Sequence, residues 1–140
     1  MTDKQPSTQE IADTLMSRDH ASQALGMKLE KIGEGTAVIS MPVTRDKLNG
    51  HDICHGGLIF SLADTAFALA CNSRNRKTLA LSCTINFVAS AVEGDILTAT
   101  ASEVSLNNRT GVYDITVRNQ TGKIIAHFRG SSYGTSSPAT

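Results

Sequence analysis

Asp64 stands in the run Leu58–Cys71, LIFSLADTAFALAC, whose other polar residues are Ser61 and Thr65. Set among Leu62, Ala63, Ala66, Phe67 and Ala68, its carboxylate meets apolar surface, where desolvation raises a carboxyl pKa unless a donor or cation compensates. Raised carboxylates at clefts serve as general bases or nucleophiles. An Asp so placed can also reach solvent or tie down a neighbouring loop, and position alone supports both readings. His55-Gly56-Gly57 immediately precedes the run. A helix starting there leaves its first N–H groups without intrahelical acceptors, and glycine amides let a carbonyl come close. Aimed at a developing oxyanion, one such donor is worth about 3 kcal/mol. Two glycines equally suit a plain loop-to-helix turn.

Spacing adds a constraint. Asp64 follows Gly57 and Gly56 by seven and eight residues, close to two helical turns, which puts about 10 Å of helix axis between the carboxylate and those amides. One small carbonyl cannot meet both. If both act on one substrate, the acid must come from the helix of a second subunit, packed antiparallel across a two-fold axis. His51, Cys54 and His55 crowd a few loop residues with no further ligand cluster, so no metal site is expected. Cys54 and His55 are adjacent and point apart, a poor nucleophile–base pair, so Cys54 reads as a packing residue. His20 and His127 have no recognisable companions.

The elements that must position these residues follow from pattern. Ser7-Thr8-Gln9-Glu10 is a capping box, and Ile11, Leu15 and Met16 give the next segment an apolar face, so a short helix opens the chain. MKLEKI and TAVISMPV read as strands of a hairpin turning at Gly33-Glu34-Gly35. Residues 45–57, RDKLNGHDICHGG, are loop chemistry. The run from Leu58 is a helix covered on nearly every side. After a basic turn at residues 72–77, four strands follow: TLALSCTINFVA, DILTATASEVSL, GVYDITVRN and KIIAHFRGSSY. The tail is small and polar and is expected to fray. This order argues α+β, an antiparallel sheet curled around the buried helix. Such a sheet leaves open strand edges and apolar area, which two subunits joined edge to edge would relieve.

Length and charge bound the rest. The 140 residues are expected to form one domain (1–140), with a helical segment at 1–18 and a flexible tail at 134–140. Lys plus Arg and Asp plus Glu are 13 each, so neither nucleic acid nor an anionic membrane is favoured as partner. The opening MTDKQPSTQE lacks the features of a signal peptide. Three separated cysteines suggest no disulfide framework, and a reducing, cytoplasmic setting is expected.

At LNGHDICHGGLIFSLADTAFALACNS the chain resembles the hotdog-fold acyl-CoA thioesterases, in particular the phenylacetic-acid-degradation type. The likeness extends through ASQALGMKLEKIGEGTAVISMPV upstream and GDILTATA and RTGVYDITVRNQTGKIIAHFRGSS downstream, over residues 19–133. It implies a long central helix wrapped by an antiparallel sheet, active sites at a dimer interface, and commonly a homotetramer that is a dimer of dimers. By the same resemblance Asp64 matches the acidic residue that activates water or attacks the thioester, and Gly56 the glycine whose N–H polarises the carbonyl. Asn49 matches the asparagine that positions water or substrate, and His55 the histidine beside the oxyanion glycine; Gly57 and Thr65 fall with them among the substrate-binding positions. No cofactor or metal is implied, since coenzyme A is part of the substrate. One departure is Val88-Ala89-Ser90-Ala91, where relatives often carry a basic residue and proline. Contacts to the nucleotide are then expected at Arg109, Thr110 and Gly111, or at Arg74, Arg76 and Lys77. The implied reaction is hydrolysis of an acyl-CoA, such as phenylacetyl-CoA, hydroxyphenylacetyl-CoA or a related aromatic acyl-CoA, to the free acid and CoA. The alternative is a hotdog module that binds acyl-CoA without turning it over, as a sensor or carrier would; the retained Asp64 speaks against it. A hotdog dehydratase would instead need a histidine-centred site.

Overall fold

Ser7 and Glu10 cap the first helix, α1 (Thr8–Arg18), reciprocally: Ser7 Oγ accepts from the Glu10 N–H at 3.1 Å, and the Glu10 carboxylate accepts from the Ser7 N–H at 3.4 Å. In the computed structural model, which describes residues 4–140, α1 is followed directly by a second short helix, α2 (His20–Ala24). The break comes at Asp19, whose carboxylate accepts from both the N–H and the hydroxyl of Ser22 and so starts a new helix instead of extending the old one. Helix α1 thus ends at Arg18 and is joined by a second helix; the first three residues of the expected segment 1–18 lie outside the described ones.

Strands β1 (Lys28–Gly33) and β2 (Thr36–Pro42) form the expected hairpin. Gly35 in its turn has φ +72°, and a Cβ there would stand 2.9 Å from Glu103 Oε2, so both backbone and space demand glycine. The loop that follows contains one 3-10 turn (Arg45–Lys47) and leads into α3 (Gly56–Cys71). Then come β3 (Thr78–Phe87), β4 (Ile96–Asn107), β5 (Thr110–Arg118) and β6 (Ile124–Gly134). All pairings are antiparallel, in the order β1-β2-β4-β5-β6-β3, and register shifts in four of the five pairs add the local bend that curls the sheet. This is the hotdog arrangement, α+β as expected.

Alternation does the wrapping. On β2, Ala37, Ile39 and Met41 point inward; on β4, Leu97, Ala99 and Ala101; on β5, Tyr113, Ile115 and Val117, all buried. They meet Ile59, Leu62, Ala63, Ala66, Phe67 and Ala70 of α3. Each large side chain fully buried here contributes about 1.5–3 kcal/mol, which anchors α3 strongly enough to hold one carboxylate in a poor environment. The turn after α3 is pinned by Arg74, whose Nη1 lies 2.7 Å from Glu103 Oε2, while the buried Tyr113 hydroxyl donates to the same oxygen at 3.0 Å.

Two expectations are corrected. First, α3 is not covered on nearly every side: Ala68 is exposed and Ser61, Asp64 and Thr65 are half-buried, because six strands curl only part of the way round and leave a gap between the β3 edge and the end of α1. Second, the tail expected to fray is hydrogen-bonded: the Thr135 N–H donates to Lys77 O and the Lys77 N–H to Ser137 O, both at 2.8 Å, and the Thr140 N–H donates to Asn75 Oδ1 at 3.1 Å. Those groups find partners because the loop before β3 runs alongside. The β3 edge itself carries Leu79, Leu81 and Phe87, each more than half exposed, with Val88 next to them. No helix among the described residues is long and apolar enough to cross a membrane.

Candidate active site

The start of α3 separates its two glycine amides into different roles. His55 is the N-cap residue, and its Nδ1 accepts from the Gly57 N–H at 3.0 Å. That bond puts the ring proton on Nε2, and a Cβ at Gly57 would lie 3.1 Å from Nδ1, so glycine is what allows the imidazole to fold over the helix end. The Gly56 N–H finds no acceptor among the described residues. It is an unspent donor at the positive end of the α3 dipole.

Gly56 lines a cavity of about 320 Å³ together with Asn49, Ile59, Phe87 and Ala91. The Phe87 ring lies across the glycine, with its Cζ 3.1 Å from where a Cβ would be. Asn49 holds the loop that enters the helix: its Oδ1 accepts from the His51 N–H at 2.8 Å and the Ile53 N–H at 3.4 Å. Its Nδ2 has no partner among the described residues. Cys54 is buried and donates weakly to His55 O at 3.8 Å, and burial pushes its thiol pKa up. His55, meanwhile, is committed to Gly57, so these neighbours do not act on each other.

Two turns along the helix, the Asp64 carboxylate accepts no hydrogen bond and faces no cation within salt-bridge distance among the described residues. Burial raises its pKa, and the charge of Asp19 raises it further. Its other titratable neighbours are Cys71 and Cys83. Burial pushes the Cys71 thiol up to about 12, with Asp64 adding to the rise, so these thiols stay neutral. Thr65 donates to Ser61 O at 2.8 Å, and its Oγ1 lies 3.2 Å from Ser22 Oγ, so α2 approaches α3 beside the carboxylate.

The candidates for the nucleotide end lie elsewhere. Arg109 Nη1 donates to Gly134 O at 3.0 Å and Nη2 to Ser136 Oγ at 3.1 Å; Arg76 donates to Thr135 O, Asn108 O and Gly134 O. Thr110 opens β5 opposite Tyr133, and a Cβ on Gly111 would come within 2.9 Å of Ser132 Oγ, so packing alone accounts for that glycine. Arg74 is taken by Glu103. Sequence reasoning missed Phe87 and Asp19. Neither carries a local signal, since each reaches the site only through sheet curvature and helix packing.

These features match a known family. The model of the thioesterase superfamily covers residues 51–126, a span running from the His51 loop through α3 into β6. The chain belongs to the thioesterase superfamily. It is 48% identical over 122 residues to the acyl-coenzyme A thioesterase PaaI of Escherichia coli (strain K12), covering 87% of each chain. The solved structure of the E. coli PaaI protein from the phenylacetic acid degradation operon matches with a TM-score of 0.92 at 45% identity, covering 94% of this chain and 95% of that one. A protein of Streptococcus mutans UA159 solved with acetyl CoA bound matches at 28% identity and a TM-score of 0.75, over 78% of this chain and 88% of that one. Membership of the thioesterase superfamily gives the activity class that the resemblance implied: a thioester hydrolase.

Proposed function

We propose that this thioesterase hydrolyses acyl-CoA, with the Gly56 N–H of one subunit and Asp64 of the partner subunit forming each active site. The observation that carries the reading is a pair of unspent groups on one helix. A backbone donor without an acceptor sits at the N-terminus of α3, and a carboxylate without a partner sits two turns along. About 12 Å of axis separates them, so one thioester reaches both only across two antiparallel copies of α3. The exposed apolar edge of β3 suits the edge-to-edge dimer this requires.

In the reaction, a water oxygen bonds to the thioester carbonyl carbon as Asp64 takes the water's proton. The oxyanion accepts from the Gly56 N–H at the positive helix end. Collapse breaks the C–S bond, and the CoA sulfur leaves with the proton that Asp64 returns. Direct attack by the carboxylate would pass instead through an acyl–aspartyl anhydride, which hydroxylamine trapping would reveal. The coenzyme A named for a relative and the acetyl CoA held by another support CoA as the carrier, and the phenylacetic acid degradation setting of the E. coli protein supports an aromatic acetyl group on it. Arg76 and Arg109, each bonded to carbonyls and paired with no carboxylate among the described residues, form the corner to which we assign the nucleotide phosphates. A cytoplasmic homotetramer built from two such dimers completes the proposal.

Mixing two defective proteins tests the shared site. Gly56→Pro and Asp64→Asn, each inactive alone on phenylacetyl-CoA, are expected to recover about a quarter of the parental activity after subunit exchange, because half the dimers are mixed and each mixed dimer has one intact site. No recovery despite proven exchange rules the arrangement out. Parental activity in Asp64→Asn alone, with CoA still bound, rules out the catalytic assignment; binding without turnover by the parent itself would favour the sensor or carrier reading.

A further inference from the structure

Lys47 is the one cation buried among the described residues, with 5% of its surface exposed. It closes the 3-10 turn before the active-site loop, and among the described residues it has no carboxylate within salt-bridge distance. Its Nζ donates to Thr44 Oγ1 at 2.9 Å, and the Thr44 hydroxyl donates in turn to the Asp46 carboxylate. Asp46 is exposed, so water screens that carboxylate, whereas the ammonium keeps its field inside the protein. We propose that the buried Lys47 ammonium is an electrostatic support of the oxyanion site, speeding attack on the thioester through its field and without touching the substrate.

The proposal rests on the thioesterase reading above, because it needs an oxyanion to form beside Gly56. The backbone places the lysine there. The Lys47 carbonyl accepts from the His55 N–H at 2.8 Å, and His55 is the residue before Gly56. A bridge between Leu48 and Cys54 holds the two segments side by side. Lys47 also lines, with His55, Gly57 and Leu58, a cavity of about 330 Å³ at the start of α3. On the Gly56 side, Cys54 forms part of the cavity wall, and its thiol registers the charge. Burial pushes that thiol's pKa up, Lys47 pulls it down, and the buried Asp95 raises it by less than Lys47 lowers it. The Asp95 carboxylate is shared between two donors, the Val92 N–H and Gln120 Nε2, each at 2.9 Å. Positive potential therefore prevails at the wall of the Gly56 cavity.

For the fold alone this is a poor place for a cation. The ammonium is desolvated, uses one of its three donors on a neutral hydroxyl, and stands near the positive end of the α3 dipole. What it favours is negative charge developing on the thioester oxygen as the Gly56 N–H takes hold of it. Lys47 belongs to the subunit that supplies Gly56 and is buried within that subunit alone, so antiparallel pairing of α3 leaves its surroundings as they are.

The test is kcat and KM, on whichever acyl-CoA the parent turns over fastest, in the parent, Lys47→Met, Lys47→Gln and Lys47→Arg, with urea unfolding of each and the oligomeric state checked by light scattering. Met and Gln drop the charge and leave the backbone bond to His55 in place, whereas Arg keeps the charge. Lys47→Met is expected to lower kcat about three- to thirtyfold, to leave KM within about twofold, and to be at least as stable as the parent. Lys47→Arg is expected to stay within about twofold of the parental kcat. If the bulk of arginine is not accommodated, Lys47→Gln decides, and it is expected to lose as much kcat as Lys47→Met. A folded neutral variant with kcat within about twofold of the parent overturns the proposal. So does a loss that a folded Lys47→Arg shares in full, or one that tracks a loss of stability, since Lys47 would then be only a tie within its turn. A parent that hydrolyses no acyl-CoA overturns the underlying reading, and this proposal with it.

Discussion

Gly56→Pro deletes one N–H from the protein and no internal hydrogen bond, so it can separate catalysis from stability. Gly56 is the first residue of α3, the helical position where proline's missing donor and fixed φ are tolerated best. The preceding His55 has φ −60° and ψ 128°, the extended geometry that a residue before proline needs. The added Cβ meets Phe87 Cζ at 3.1 Å, and that ring is 51% exposed and free to give way. Stability is therefore expected to change by less than about 1 kcal/mol in urea unfolding. Loss of an oxyanion donor is worth about 2.7–4 kcal/mol, so kcat for thiol release from phenylacetyl-CoA is expected to fall about 10²–10³-fold. Gly56→Ala is the matched control, since it adds the same Cβ and keeps the N–H. If folded Gly56→Pro turns over within about threefold of Gly56→Ala, this amide does not stabilise the transition state and the reasoning fails.

In the proposed mechanism the Asp64 carboxyl must be ionised to act, and burial and Asp19 both raise its pKa, so the acidic limb of kcat/KM is expected above the ordinary carboxylate range. Asp19→Asn keeps a capping side chain but removes the like charge, which should move that limb to lower pH in a pH–rate profile; an unmoved limb would count against the coupling. The same raised pKa has a stability consequence. Protonated Asp64 favours the folded state below the ordinary carboxylate value, and that contribution is lost as pH rises through the folded value, so Asp64→Asn should be at least as stable as the parent at neutral pH in thermal melts. Gly130→Ala places a Cβ 2.7 Å from the buried Phe67 ring, itself packed against Tyr113 and Phe128, and is expected to cost about 1–3 kcal/mol in urea unfolding; a neutral result would mean the core yields there.

What the sequence determined by itself is whatever depends on neighbours along the chain. The Ser7–Glu10 cap, the hairpin at Gly35, the helix through Leu58–Cys71 and the four later strands all rest on local hydrogen bonding and on periods of two or 3.6, and each lies where those patterns put it to within a residue or two, α3 starting at Gly56. Even the distance between Gly56 and Asp64 could be counted, because a helix has a fixed rise. Tertiary structure decided what depends on through-space meetings. Which of the two glycine amides is free follows from the rotamer of His55, and the approach of Asp19 to Asp64 and of Phe87 to Gly56 follows from helix packing and sheet curvature. The open side of α3 belongs to the same class. Hydrophobicity alone suggested that the helix is enclosed, but how far six bulged strands curl depends on summed twist, and no single stretch of residues encodes that sum.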